Sequence, residues 1–183
     1  MGELMLVKPR LEYAQAIRAY RQEFIEAEGN FAGDSGLREM EDIAAWIEQC
    51  RLMENQETLP HANWVEAEQF MLVRRGERQV LGMINFRHEL NDWLAKYGGH
   101  IGYGVRPSQR RRGYAKTMLA LCLEKCRERG LERVLITCDA TNEASRRTII
   151  ACGGVLENTA MEGERVVERY WVRLTLPRDR DGR

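Results

Sequence analysis

The stretch from His100 to Asp139 constrains the fold most. An apolar segment, HIGYGV, passes through a turn at Pro107 and Ser108 into an arginine-rich loop that ends at Gly113. An amphipathic helix is expected from Tyr114 to Arg129, with Ala115, Met118, Leu119, Cys122, Leu123 and Cys126 at helical spacing. Gly130 supplies a stop. The VLITC run inside Arg133 to Asp139 then reads as a strand buried on both faces. A strand, a helix and a second strand within about 40 residues make a βαβ crossover, so the two strands run parallel.

The same stretch carries chemistry. A helix start leaves about four backbone N–H groups without intrahelical partners, and the helix dipole adds positive charge there. A loop that aims those donors at one point binds anions. Arg110, Arg111 and Arg112 add permanent positive charge, so the expected ligand is a phosphate or pyrophosphate. Nucleic-acid phosphate is the rival. A formal net charge of zero, from 28 basic and 28 acidic residues, argues against it, as does the lack of interleaved aromatics.

The 183 residues suit a single domain, expected over 1–176, with a loose tail at 177–183. The N-terminus lacks a signal-peptide core, and no window has the apolar length of a membrane span. Five cysteines (Cys50, Cys122, Cys126, Cys138, Cys152) lack metal-ligand spacing, and the three histidines (His61, His88, His100) are scattered. These features predict a cytoplasmic protein with reduced thiols and no structural metal.

Elsewhere the pattern predicts a short strand at 4–7 and helices from Leu11 to Glu28 and Leu37 to Met53, separated by a loop over 29–36. Two antiparallel strands follow, Glu68 to Arg74 and Gln79 to Arg87. Asn91 to Gly99 reads as a loop with at most a helical turn. The first strand of the crossover covers His100 to Arg106. After the crossover come a helix from Asn142 to about Cys152 and a closing hairpin, Val155 to Met161 with Arg165 to Leu174.

This order of elements resembles the GNAT superfamily of acyl-CoA-dependent N-acetyltransferases, and within it bacterial members described only as predicted acetyltransferases. Arg110-x-x-Gly113-x-Ala115 matches the family's Q/R-x-x-G-x-G/A loop, which cradles the pyrophosphate of coenzyme A. The VRPSQ lead-in, Asn142 with Ser145, and the Gly153–Gly154 pair fall where the family has comparable residues. The match covers about Ile101 to Leu156. The resemblance implies an α/β (α+β) fold: a mixed, mostly antiparallel twisted sheet, helices on both faces, and a splayed parallel strand pair. It also implies acetyl-CoA as cofactor. The pantetheine arm would bond the backbone of Gly104, Val105 and Arg106, and the pyrophosphate the N–H groups of Arg111, Arg112, Gly113, Tyr114 and Ala115. Asn142, a natural N-cap, and Ser145 would reach the cofactor too.

The resemblance predicts acetyl transfer to a primary amine by direct attack in a ternary complex. His100, beside the expected cleft, is the candidate base, with Glu89 a weaker one. The hydroxyls of Tyr103 and Tyr170 are candidate proton donors for the leaving thiolate; Tyr114 packs or covers the cofactor. The family's usual tyrosine seven residues after the asparagine is replaced by Ile149. The glutamate that some members place five residues before it is replaced by Thr137. A covalent route through Cys138 is disfavoured, because a buried strand cysteine is inert. With Ile149 in that place, the alternative is a module that binds acyl-CoA without transferring it. The acceptor pocket is expected between the first two helices and the loop from Glu89 to Gly99, near Trp46, Trp93 and Tyr97. The acceptor is left open among small amines, antibiotics, polyamines, amino acids and peptides. A homodimer through the closing hairpin is a further expectation; no nucleic-acid or membrane partner is expected.

Overall fold

The computed structural model describes residues 2–27 and 32–175. The tail at 177–183 and positions 28–31 of the first helix and loop lie outside the described residues.

The elements follow the expected order: β1 (Leu4–Val7), α1 (Ala14–Glu26), α2 (Ile43–Leu52), β2 (Ala67–Arg74), β3 (Gly82–Arg87), β4 (Ile101–Val105), α3 (Tyr114–Glu128), β5 (Arg133–Asp139), α4 (Glu143–Ala151), β6 (Gly154–Glu162) and β7 (Arg165–Arg173). One seven-stranded sheet runs in the order β1-β2-β3-β4-β5-β7-β6. Its pairs are antiparallel except β4–β5. Alternation along the strands separates two cores. Phe70, Leu72, Ile84 and Phe86 pack with Met118, Leu119, Cys122 and Ile149 of α3 and α4. Met71, Val73 and Met83 pack with Ile17, Tyr20, Phe24, Ile43 and Trp46 of α1 and α2.

Several elements differ from the sequence reading: Leu11–Tyr13 form a 3-10 turn ahead of α1, and β3 starts at Gly82 rather than Gln79. Helix α2 begins at Ile43, not Leu37, because the Asp42 carboxylate caps it by accepting from the N–H groups of Ala44 and Ala45. Leu37 is fully buried all the same, from a turn rather than a helix. The expected loop before β4 holds a π-helical turn, Leu94–Gly98, started by Asn91 Oδ1 accepting from Leu94 N at 2.9 Å.

The segment between α1 and α2 crosses the sheet and is pinned by two buried amides. Gln69 Nε2 donates to Gly33 O at 2.8 Å, and Ser35 Oγ donates to Gln69 Oε1 at 2.6 Å. Asn85 Nδ2 donates to Ser35 Oγ at 3.0 Å. Burying two polar side chains in a sheet is costly unless their groups are paired, and here they hold the crossing segment down. Gly33 consequently presses on β4. With φ +70 it already needs glycine, and a Cβ there would come within 2.1 Å of Gly102 O.

Candidate active site

β4 and β5 meet at one position, Ile101 opposite Ile136. Beyond it β4 stays with β3, as far as Val105 opposite Gly82, and β5 stays with β7, as far as Asp139 opposite Val167. The two strands therefore diverge. Arg87 N–H donates to His100 O and Arg106 N–H to Leu81 O, so the even-numbered residues of β4 spend backbone groups on β3. Strand alternation turns the backbone N–H and C=O of Tyr103 and Val105 toward the gap. Of the three residues expected to meet the pantetheine arm, Val105 faces the gap. Gly104 contributes an absent side chain: its carbonyl accepts from Tyr20 Oη at 3.1 Å, and a Cβ would come within 3.0 Å of Ala32 O. Arg106 turns away into an ion pair with Glu23 of α1 at 2.5 Å; against the opposing desolvation, the Ser108 N–H and then the Arg106 guanidinium hold Glu23 below the usual carboxylate range.

The gap opens into a groove of about 620 Å³. Tyr103, Gly104 and Val105 line one side; Arg110, Arg111, Gly113, Tyr114 and Ala115 line its end; Asn142 and Ser145 line the other side. Arg111 has φ +61 and Gly113 φ +79, so the chain turns twice into left-handed conformation just before α3. Such turns collect successive N–H groups into a concavity. Among the described residues, the backbone N–H groups of residues 111 to 116 meet no protein acceptor. A Cβ at Gly113 would meet nothing within 4 Å, so the space over it is open. Unpaired donors around an open glycine at a helix start suit a diphosphate. That is the fit expected of coenzyme A, with the residues that would hold it supplied mainly as main chain.

Arg112 is exposed and does not line the groove. Arg110 lies with its guanidinium 5.6 Å from the Phe24 ring. Tyr114 is buried and its hydroxyl accepts from Arg74, so it packs as well as lining the groove. Asn142 caps α4 by accepting from Ser145 N at 3.1 Å.

The candidate catalytic residues are not gathered in one place. Tyr103 lies in the groove, its hydroxyl 2.9 Å from Ser145 Oγ. Burial, opposed by the Ser145 hydrogen bond, pushes the Tyr103 phenol up to about 12, so it keeps its proton at neutral pH. Tyr170 lies outside the groove lining and donates to Glu168 Oε2 at 2.7 Å, beside Arg146. His100 sits where the strands part. Its N–H donates to Leu135 O at 2.8 Å, and its Nδ1 accepts from Leu135 N at 3.0 Å. Burial pushes the imidazole down to about 4, leaving it neutral with the proton on Nε2. Ile149 is fully buried, and Thr137 donates to Tyr97 O at 2.7 Å. Burial and the nearby Glu168 carboxylate push the Cys138 thiol up to about 11, which makes it a poor nucleophile.

Sequence reasoning missed the pairing of Tyr103 with Ser145 and the place of Arg87 in a second cavity. That cavity, of about 350 Å³, lies between the α1–α2 segment and the π-helical turn. It lies between the elements expected to shape the acceptor pocket, and it contains Trp93. Trp46 and Tyr97 are elsewhere: Trp46 is in the core, and Tyr97 donates to Met161 O.

The model of the Acetyltransferase (GNAT) domain family matches residues 3–155. The chain belongs to the GNAT acetyltransferase family. Among solved structures it is similar to the microcin C7 self-immunity acetyltransferase MccE in complex with acetyl-CoA and AMP. That protein is 20% identical, with a TM-score of 0.71 over 94% of this chain and 93% of that one. A putative ribosomal-protein-serine acetyltransferase from Vibrio cholerae is also 20% identical, with a TM-score of 0.66 over 95% of each chain. YncA, a putative acetyltransferase from Salmonella typhimurium with its cofactor acetyl-CoA, is 14% identical, with a TM-score of 0.61 over 98% of this chain and 99% of that one. At such identities the likeness is one of fold. No curated protein sequence matches. No helix among the described residues is long and apolar enough to cross a membrane.

Proposed function

We propose that the chain transfers the acetyl group of acetyl-CoA to a primary amine by direct attack within a ternary complex. The observation that carries this reading is the groove from Gly113 to Tyr103, with unpaired N–H donors at one end and a half-buried hydroxyl pair at the other. Bound coenzyme A supplies an acetyl thioester. The N–H groups of residues 111 to 115 hold its diphosphate, and Asn142 and Ser145 close the other side. The backbone of Tyr103 and Val105 orients the pantetheine arm, and the Val105 N–H polarises the thioester carbonyl in the manner of an oxyanion hole. The amine nitrogen bonds to the carbonyl carbon as the carbon–sulfur bond breaks. The Tyr103 hydroxyl, which Ser145 orients, would give its proton to the departing sulfur and regain one from the solvent that takes up the proton shed by the amine.

His100 serves this scheme as a positioning residue. Its ring accepts from Leu135 N and its main chain donates to Leu135 O, so it fastens β4 to β5 immediately before the Ile101–Ile136 pair beyond which the strands diverge. Its Nε2 carries a proton, so the amine loses its own to water, and correct placement supplies most of the rate. Calorimetry with CoA, paired with thiol release from acetyl-CoA across an amine panel, tests this reading. Binding together with amine-dependent release supports it. Binding without release from any amine identifies a sensor module instead, and no binding removes the reading.

A further inference from the structure

The 350 Å³ cavity has an unusual electrostatic composition. It is lined by neutral polar side chains, including Ser35, Asn63, Asn85 and Asn91, by the rings of Trp64 and Trp93, and by one charged residue, Arg87. The Arg87 guanidinium donates from Nη1 to Gly98 O at 3.4 Å and Gly99 O at 3.2 Å. Its Nε and Nη2 meet no protein acceptor. They are not sealed in, since Trp171 Nε1 is the buried polar side-chain atom left without a partner among the described residues. Arg87 makes no ion pair with a described carboxylate, whereas other partly buried cations, such as Lys8, Arg106 and Arg146, all do. Desolvation pushes the guanidinium down to about 10, still charged at neutral pH.

A desolvated cation without a counter-ion is costly to keep. A guanidinium with a free donor edge facing a cavity suits a planar or tetrahedral oxyanion, which it grips through paired N–H donors. The position also matters. A Cβ on Gly102 would lie 3.7 Å from Arg87 Nη1, and Gly102 directly precedes Tyr103 of the cofactor groove. The cavity and the groove thus approach each other across the Gly33–Gly102 contact.

We propose that Arg87 is the anion-binding residue of the acceptor site and takes a carboxylate or phosphate carried by the amine acceptor. The acceptor class narrows accordingly to amino acids, peptides with a nearby carboxylate, or amines bearing a phosphate monoester. Polyamines, which are purely cationic, fall outside it. The assignment of this cavity to the acceptor rests on the acetyl-transfer reading above; the anion site itself does not.

The test is a titration of CoA-saturated protein with sodium acetate and, separately, inorganic phosphate at constant ionic strength, followed by tryptophan fluorescence. Trp64 and Trp93 report from the cavity wall. Saturable binding is expected, weakened about ten- to a hundredfold in Arg87→Met, which loses charge-assisted hydrogen bonds. It is expected to be partly retained in Arg87→Lys. Asn91→Asp gives a second variant. It keeps a side-chain acceptor for Leu94 N–H, as Asn91 does now, yet adds a negative charge to the wall, and is expected to weaken the anion severalfold. Tighter phosphate than acetate assigns a phosphate monoester; acetate as tight or tighter assigns a carboxylate. No saturable response in the wild type, or equal affinity in wild type, Arg87→Met and Asn91→Asp, overturns the proposal. Should CoA not bind at all, the transferase reading fails by itself, and the same titration on the free protein still decides the role of Arg87.

Discussion

The Gly113 end of the groove is lined largely by main chain, whereas the Arg87 cavity is walled by side chains from five separate stretches of sequence. At the first end, affinity depends on two left-handed residues and the start of one helix. At the second, it depends on which side chains the α1–α2 segment, the 63–67 stretch, β3 and the π-helical turn happen to bring. Main-chain recognition tolerates sequence change, so one cofactor site can serve many sequences. Side-chain recognition does not, and so it sets the identity of the acceptor.

Gly113→Val tests the main-chain end most severely. CoA affinity is expected to fall by on the order of a hundredfold, or about 2.7 kcal/mol, in a calorimetric titration. Gly130→Val is the control. Gly130 has φ +87 and equally open surroundings but lies at the far end of α3. Both variants carry a backbone strain of about 1–2 kcal/mol, visible as similar losses in denaturant stability. Equal loss of CoA affinity in the two would erase the distinction between strain and a blocked phosphate.

His100 lines neither region, and its effect is on folding. Its imidazole is lowered from 6.5 to about 4 in the folded state. Between those values the unfolded chain takes up a proton that the native state refuses, so stability falls as pH drops through that window. The loss attributable to this residue reaches about 2 kcal/mol near pH 5. Denaturation curves of wild type and His100→Asn at pH 7 and pH 5 should show it as a difference that shrinks in the variant. A variant with unchanged stability and no turnover would instead return the base role to His100.

Tyr103→Phe sharpens the catalytic side. It is expected to lower kcat about tenfold with the KM for acetyl-CoA nearly unchanged, and a loss confined to KM would count against proton donation. The smallest effect belongs to Arg112→Ala. An exposed arginine outside the groove should change CoA affinity by no more than about twofold, an effect that salt erases. A large loss would mean that side-chain charge, rather than main chain, dominates the phosphate end.

The same contrast explains what was legible in the sequence. The crossover from β4 to β5, the stop at Gly130 and the loop ending at Gly113 are local signals, each readable within a few residues. So was the role of Asn142 as a cap. The start of α2 was not, because Leu37 and Met40 carry apolar spacing that a turn also satisfies while Asp42 sets the true cap. His100 and Tyr170 could be named as candidates, but their partners, Leu135 and Glu168, depend on strand pairing across the sheet. Arg87 gave no local signal at all. Its meaning lies in the carboxylate that none of the neighbouring strands provides.

The contact between Gly33 and Gly102 has a consequence for how this chain can diversify. Two bare backbones touching there form a thin partition between two chambers; Gly33 has no room to thicken it, and a Cβ on Gly102 would already lie 3.3 Å from Gly33 N. Substitutions at Asn63, Trp64 or Trp93 can remodel one chamber while the other keeps its shape. New substrate preferences are then open to the lineage without renegotiating the donor they share.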